Sequence, residues 1–354
     1  MRNLNILFMT EYFGDTVCIS HLHYLEQAIS KIANCRWAGP KHPRYIPKEP
    51  LGLTVKRVMR NAHWVIYYDF GVTKRRRYVQ IPPKEPNRRS GRGRKYNVAA
   101  YTGDLQREPY NYREYLNSSG YDALLMAYIK TRKQIEPKRG KTPPTHIIRN
   151  LSEHHYTRGL NIPFFYTTPS IDTAVFKQRN EERTYDVTFL GALHRQAYPL
   201  RQHIWDELPG YARERGWNVL VEKSPPGRSL DRSMSNLREE HFVGDRYVEA
   251  LAKSKIFIFG SSVFKYPLFK FFEGMACGAC VMADTPLTAK ELHLVPDWNF
   301  ISINKGNWRE KLKYYLRHDE EREEIARRGY ETVMKYHTVN TRAKQVVNFL
   351  WKNM

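Results

Sequence analysis

Long apolar runs are missing from this 354-residue sequence. None approaches the ~20 residues that a membrane-spanning helix needs. The opening stretch "MRNLNILFMTEYFGD" has too short an apolar run for a signal peptide and no small-residue cleavage pattern. A soluble, cytoplasmic protein is the expectation. Cysteine is scarce too: of four, Cys18 and Cys35 are isolated and Cys277 and Cys280 form a single C-x-x-C. A structural zinc site needs a second ligand pair at matched spacing, and none follows. The thiols therefore read as small buried residues at a packed turn, with no metal expected. No internal repeat is present.

Acidic residues are sparse in the first half. Residues 1–180 hold 31 basic and 13 acidic side chains, net +18, whereas the remainder holds 27 and 23, net +4. Segment 74–95, "KRRRYVQIPPKEPNRRSGRGRK", carries ten basic residues against one acidic. Its Lys74, Arg75, Arg76, Arg77, Arg88, Arg89, Arg92, Arg94 and Lys95 stand among Gly and Pro with few apolar neighbours, the pattern of a loop presenting positive charge. A solvated basic face is the plain alternative. So local an asymmetry favours a polyanionic partner.

What is present describes a globular α/β chain. Hydrophobic residues make up 41%, enough for a sizeable core. Short apolar runs at Asn5–Met9, His63–Phe70, Tyr96–Asp104 and Tyr121–Tyr128 read as buried strands ending in polar loops. Between the first two, Leu22, Leu25, Ile29 and Ile32 recur at helical spacing, with Ser20 as an N-cap. The charged piece Lys177–Thr184 interrupts this rhythm, after which strand and helix patterns alternate again from "YDVTFLG" to "ACVMAD". The tail reads as two helices, the second running on to the C-terminus. The expected architecture is two doubly wound Rossmann-like domains facing across a cleft, the natural place for a ligand.

One carboxylate is out of place. In "KYPLFKFFEGMACGACVMAD", Glu273 sits among apolar and small residues, on a helix expected to open after a strand and loop. Amides at such a helix start hold phosphate, and a carboxylate in the first turn can accept hydrogen bonds from vicinal hydroxyls. Gly274, Ala276 and Gly278 would let the helix pack closely on its strands. The plain alternative for Glu273 is a carboxylate favoured by the helix dipole.

"LFKFFEGMACGACVMAD", with "ELHLVPDWNFISI" and the helical tail after it, resembles the C-terminal domain of GT-B-fold glycosyltransferases. The nearest type is the group 1, spore-maturation-like family, with its R-x-F-E-x-x-A-C-G core; "YDVTFLGALHRQAYPLR" and "IPFFYTTPSIDTAVF" are similar to its domain-opening strand and linker. The resemblance covers most of residues 160–345 and implies a GT-B fold. Residues 1–178 would form a basic acceptor-binding domain, 179–338 a nucleotide-sugar domain, and 339–354 a helix packing back toward the first. It assigns Glu273 to the donor ribose, Lys270 to the donor phosphates, and Arg195 and Arg201 to the diphosphate. Ser261, Ser262, Lys265 and Tyr266 fall on the donor-sugar loop, although many relatives have glutamate where Lys265 stands. Asp172 reads as a structural linker residue.

The sequence lacks the Asp-x-Asp motif of the other large glycosyltransferase fold. The resemblance accordingly implies a metal-independent, retaining transfer with no cofactor beyond the nucleotide-sugar, a UDP-sugar being the first choice. On the acceptor side, Asp104, Glu11 beside Thr10, and His154 beside His155 are candidate catalytic groups, against ordinary turn and packing roles. The basic first half points to nucleic acid, with Tyr67, Tyr68, Tyr78 and Tyr96 available to stack on an extruded base. The favoured acceptor is a hydroxymethylated pyrimidine in DNA, as for viral DNA glucosyltransferases. A saccharide, a teichoic-acid-like polymer or a lipid-linked acceptor is the alternative. A non-catalytic nucleic-acid-binding protein on a transferase scaffold is the alternative of another class.

Overall fold

Apolar runs of four to seven residues with no polar alternation demand cover on both faces, which parallel sheets flanked by helices provide. The computed structural model describes residues 4–12, 20–69, 95–103, 112–134, 151–224 and 242–354. The first lobe contains β1 (Asn5–Phe8), α1 (Ser20–Ser30), β2 (Asn34–Trp37), α2 (Leu51–Val58), β3 (Trp64–Asp69), β4 (Asn97–Thr102), α3 (Tyr112–Ser118) and β5 (Ala123–Met126). An antiparallel pair, β6 (Lys130–Gln134) with β7 (Leu151–His155), then precedes β8 (Phe164–Tyr166). The main sheet is parallel throughout, in the order β2-β1-β3-β4-β5-β8. Alternate residues build its two cores: Ile6, Phe8, Trp64 and Ile66 on one face, Leu7, Val65, Val98 and Leu124 on the other.

The second lobe runs β9 (Tyr185–Gly191), α4 (Pro199–Arg213), β10 (Val219–Lys223), α5 (Gly244–Ala252), β11 (Ser254–Ile258), α6 (Phe269–Ala276), β12 (Cys280–Ala283) and β13 (Ile301–Ser302). Its parallel sheet has the order β10-β9-β11-β12-β13. Gly274 is required where α6 crosses this sheet: a Cβ there would lie 2.8 Å from Phe257 and 2.9 Å from Val281. Cys277 and Cys280 are both buried, on either side of a turn made by Gly278 at φ +80°.

Three helices close the chain, not two: α7 (Trp308–Tyr315), α8 (Asp319–Tyr336) and α9 (Val339–Lys352). The break between the last two has a plain cause. Ile171 in the linker donates its N–H to the His337 carbonyl and accepts from Val339 N–H, both at 2.9 Å, and Thr338 Oγ1 caps α9 through Thr341 N–H. Released from α8's direction, α9 lays Val339, Ala343, Val346, Val347 and Leu350 into the first lobe's core beside α1. Trp64 Nε1 donates to the Leu350 carbonyl at 3.0 Å. The chain thus crosses back to its first lobe, as the GT-B layout requires.

The expectation for the tyrosines is corrected here. Tyr67, Tyr68 and Tyr96 lie in the buried cores of the first lobe, because they sit on or beside strands covered on both faces, and they offer no ring to a base. Tyr78 lies outside the described residues. His154 and His155 belong to strand β7. No described helix is long and apolar enough to cross a membrane.

Candidate active site

In open parallel sheets ligands bind at the carboxyl edge where the strand order reverses. In the second lobe that point lies between β9 and β11. Arg201, the third residue of α4, spans it. Its Nε and Nη2 donate to the Gly260 carbonyl just past β11, at 3.0 and 2.8 Å, and Nη1 donates to the Ala192 carbonyl just past β9, at 2.9 Å. Arg201 is only 3% exposed, stacks 4.0 Å over the Tyr198 ring, and forms no ion pair with a described carboxylate. Burial pulls its pKa down, yet a guanidinium remains a cation. Lys270, in the first turn of α6, donates to the Leu190 carbonyl at 2.7 Å. Gly191 separates the two: a Cβ there would lie 3.5 Å from Arg201 Nη1 and 3.6 Å from Lys270 Cε. Two cations therefore converge on one bare stretch of backbone at the tip of β9.

Glu273 lies one turn beyond Lys270, the fifth residue of α6 and past its first turn, because the helix opens only at Phe269 after the extended Leu268. That position removes most of the dipole explanation for this acid. Tyr247 on α5 donates its hydroxyl to Glu273 Oε2 at 2.8 Å, and Lys270 Nζ stands 3.4 Å from the same hydroxyl. Burial raises the Glu273 carboxyl above its ordinary range, opposed by the Lys270 charge and the Tyr247 hydrogen bond.

The loop from Ser261 to Leu268 is organised by an acid that sequence reasoning passed over. Asp284, closing β12, accepts from Ser261 N–H at 2.5 Å and Ser261 Oγ at 2.6 Å, and pairs with Lys265, whose backbone sits at φ 56°. A polar residue at a strand's carboxyl end was the available signal. Ser262 Oγ accepts from Phe264 N–H at 3.3 Å, and Tyr266 packs on Tyr128 of the first lobe, centroids 4.9 Å apart. Arg132 N–H donates to the Phe264 carbonyl at 2.7 Å, and the His21 ring on α1 lies tilted against Phe269 on α6, centroids 3.9 Å apart. These contacts bring the first lobe's carboxyl edge against the loop from Ser261 to Leu268 and against α6.

Other candidates stand apart. Arg195 is 81% exposed, with Asp206 3.8 Å away. Glu11 is buried just past β1 and pairs with Lys41 at 3.0 Å. His154 lies opposite Thr131 and edge-on to Tyr156. Asp172 caps a linker turn through Ala174 N–H at 2.9 Å, a structural role. Asp104 and the basic residues from Lys74 to Arg94 lie outside the described residues; Lys95 is exposed just before β4. Among the described residues no three His, Cys, Asp or Glu side chains are grouped to hold a metal ion.

The first lobe has a switch point of its own, between β1 and β3. Beneath it, buried Glu26 of α1 accepts from Thr10 Oγ1 and Trp37 Nε1, each at 2.7 Å, and from Tyr68 Oη. One carboxyl thus ties together residues on or just past β1, β2 and β3. Burial pushes it up to about 7 against those three hydrogen bonds.

Residues 183–348 match the family model described as glycosyl transferase-like. No curated protein matches the sequence. Among solved structures, the chain is similar over 99% of its length to an alpha-glucosyltransferase in complex with UDP and a 13-mer DNA containing an HMU base, at 10% identity, 100% of that chain and TM-score 0.61. Sucrose-phosphate synthase from Thermosynechococcus elongatus is similar at 11% identity over 99% of both chains, TM-score 0.58. HepE of Anabaena in complex with UDP-glucose follows at 11% identity, 99% of this chain, 100% of that chain and TM-score 0.54. Identities this low speak for the fold alone. The chain has the GT-B fold, and the family match stops at residues 183–348.

Proposed function

We propose that this protein is a metal-independent glycosyltransferase that moves a sugar from a nucleotide-sugar, a UDP-sugar first, to a hydroxyl on a polyanionic acceptor. The observation that carries the reading is the pair of cations, Arg201 and Lys270, converging at the tip of β9 with Glu273 one helical turn away. When the bond from the anomeric carbon to the phosphate oxygen breaks, negative charge gathers on the diphosphate. Arg201, Lys270 and the first amides of α6 are already in place to stabilise it, so little reorganisation is needed. Glu273 accepts from the ribose hydroxyls, and the loop carrying Ser262, Lys265 and Tyr266 borders the sugar. The acceptor hydroxyl then forms the new glycosidic bond, with retained configuration, as its O–H bond breaks and the proton passes to the departing diphosphate.

The favoured acceptor is a hydroxymethylated pyrimidine in DNA. The first half of the chain is +18. Exposed Lys41, Arg44 and Lys48 follow β2 at the carboxyl edge of the sheet, and the sequence adds ten basic residues in segment 74–95. Positive charge of this density suits a phosphate backbone. The fold likeness to a glucosyltransferase holding modified DNA supports this choice, and the likeness to sucrose-phosphate synthase supports a saccharide acceptor as the second reading.

The test is incubation with hydroxymethylated and unmodified DNA and a panel of nucleotide sugars, with products read by mass spectrometry. A hexose mass added only to hydroxymethylated DNA is expected. Transfer to saccharides with none to DNA would move the acceptor to the second reading; no consumption of any donor would overturn the transferase.

A further inference from the structure

Tyr247 has no place in the proposed chemistry, yet its hydroxyl links the two groups that do. It donates to Glu273 Oε2 at 2.8 Å, and Lys270 Nζ lies 3.4 Å from its oxygen and 5.2 Å from its ring centre. A buried hydroxyl must find a partner, and a core tyrosine that settled on the nearest acid would satisfy that need. The geometry says more. Tyr247 comes from α5, Lys270 is tied to β9 through the Leu190 carbonyl, and Glu273 is on α6, so three elements meet at one phenol. The ring itself is held edge-on by Phe176 of the linker, 6.4 Å away. Among the described residues no other group donates a hydrogen bond to the Glu273 carboxylate.

We infer that Tyr247 is a positioning residue: it fixes the Glu273 carboxylate in one rotamer, with Oε1 presented to a ribose diol, and couples that carboxylate to the phosphate-facing Lys270. This rests on the donor-site reading above. Burial drives the phenol well away from ionisation, so it remains a donor throughout the physiological range.

The experiment measures binding of UDP, GDP and ADP, each beside its 2′,3′-dideoxy form, by calorimetry. Wild type, Tyr247→Phe and Glu273→Gln are compared. The wild type should prefer the ribose form of its nucleotide. Tyr247→Phe should lower that affinity by about tenfold, the worth of a hydrogen bond to a charged group. It should leave the dideoxy form within about twofold, so that the ribose preference collapses. A Tyr247→Phe protein that keeps the wild-type preference, or loses both forms equally, overturns the inference while Glu273→Gln still loses ribose selectivity. Should Glu273→Gln bind like wild type, or wild type bind none of the three, the donor-site reading falls as well.

Discussion

Glu26 should make the stability of the first lobe depend on pH near neutrality. Unfolded, its carboxyl titrates near 4.5; folded, at about 7. Below 4.5 both states hold the proton. As pH rises toward 7 the unfolded chain releases a proton that the folded chain still holds, so the folded state loses stability until pH passes 7, where the loss levels off. Each pKa unit is worth about 1.4 kcal/mol, so the full loss is about 3 kcal/mol. Glu26→Gln removes the titration and should flatten that part of the curve, whatever its constant offset from the rearranged hydrogen bonds. His337, pulled down to about 4 by burial, works in the opposite sense: its contribution is lost as pH falls below 6.5. Because it titrates in both proteins, it cancels in their difference. Urea unfolding from pH 5 to pH 8.5 measures that difference. The Trp37 indole N–H, 2.7 Å from Glu26 Oε2, supplies a direct reading through its proton resonance. Parallel stability curves for the two proteins, together with an indole resonance that does not move across this range, would refute the reasoning.

The remaining predictions concern the second lobe. Lys270→Met keeps the length of the side chain and removes one charge from the tip of β9, and should weaken binding of the preferred nucleoside diphosphate by about 10- to 100-fold. Arg195→Ala, at an exposed site on the neighbouring loop, should leave that affinity within about threefold; equal losses in the two variants would mean the diphosphate lies further out than the structure indicates. Gly274→Ala gains helix propensity worth about 1 kcal/mol but forces a methyl to within 3 Å of Phe257 and Val281. Overpacking of this kind costs about 1–3 kcal/mol, so denaturant titration should find the variant no more stable than wild type and at worst about 2 kcal/mol less stable. A clear gain in stability would show that β11 and β12 yield to α6.

Much of the fold was legible because strands buried on both faces leave uninterrupted apolar runs, as "YDVTFLG" does for β9. Strands without such a run were not. β2, "NCRW", is an edge strand with alternating exposure, and β6 and β7 are polar and pair only with each other. The tail read as two helices because its helical spacing continues across His337–Thr338; the interruption comes from Ile171, some 165 positions earlier, which no local pattern reports. The site divides in the same way. Lys270 and Glu273 belong to one short motif and were visible together. Arg195 and Arg201 looked alike in sequence, and only the turn into α4 buries one and leaves the other in solvent. Tyr247, Asp284 and Glu26 owe their importance to partners on other elements, so spacing gave no sign of them.

Arg201 also bears on whether the site is more than a well-made strand crossing. Its fork does structural work, satisfying two carbonyls at the ends of β9 and β11. A neutral amide side chain would do that without placing a charge in the interior, and a buried ion without a counter-ion costs several kcal/mol. Asp284, whose charge reaches Arg201, already pairs with Lys265 and does not balance the guanidinium. Structural need therefore accounts for the hydrogen bonds but not for the cation. A second cation is held across Gly191, where the missing Cβ leaves the backbone bare. Two positive groups held close together repel each other, so an unliganded protein gains the hydrogen bonds of this arrangement only against that repulsion. An arriving diphosphate would turn that repulsion into binding, which is the reason to look for the proposed ligand at this point and not at the exposed arginine a few residues away.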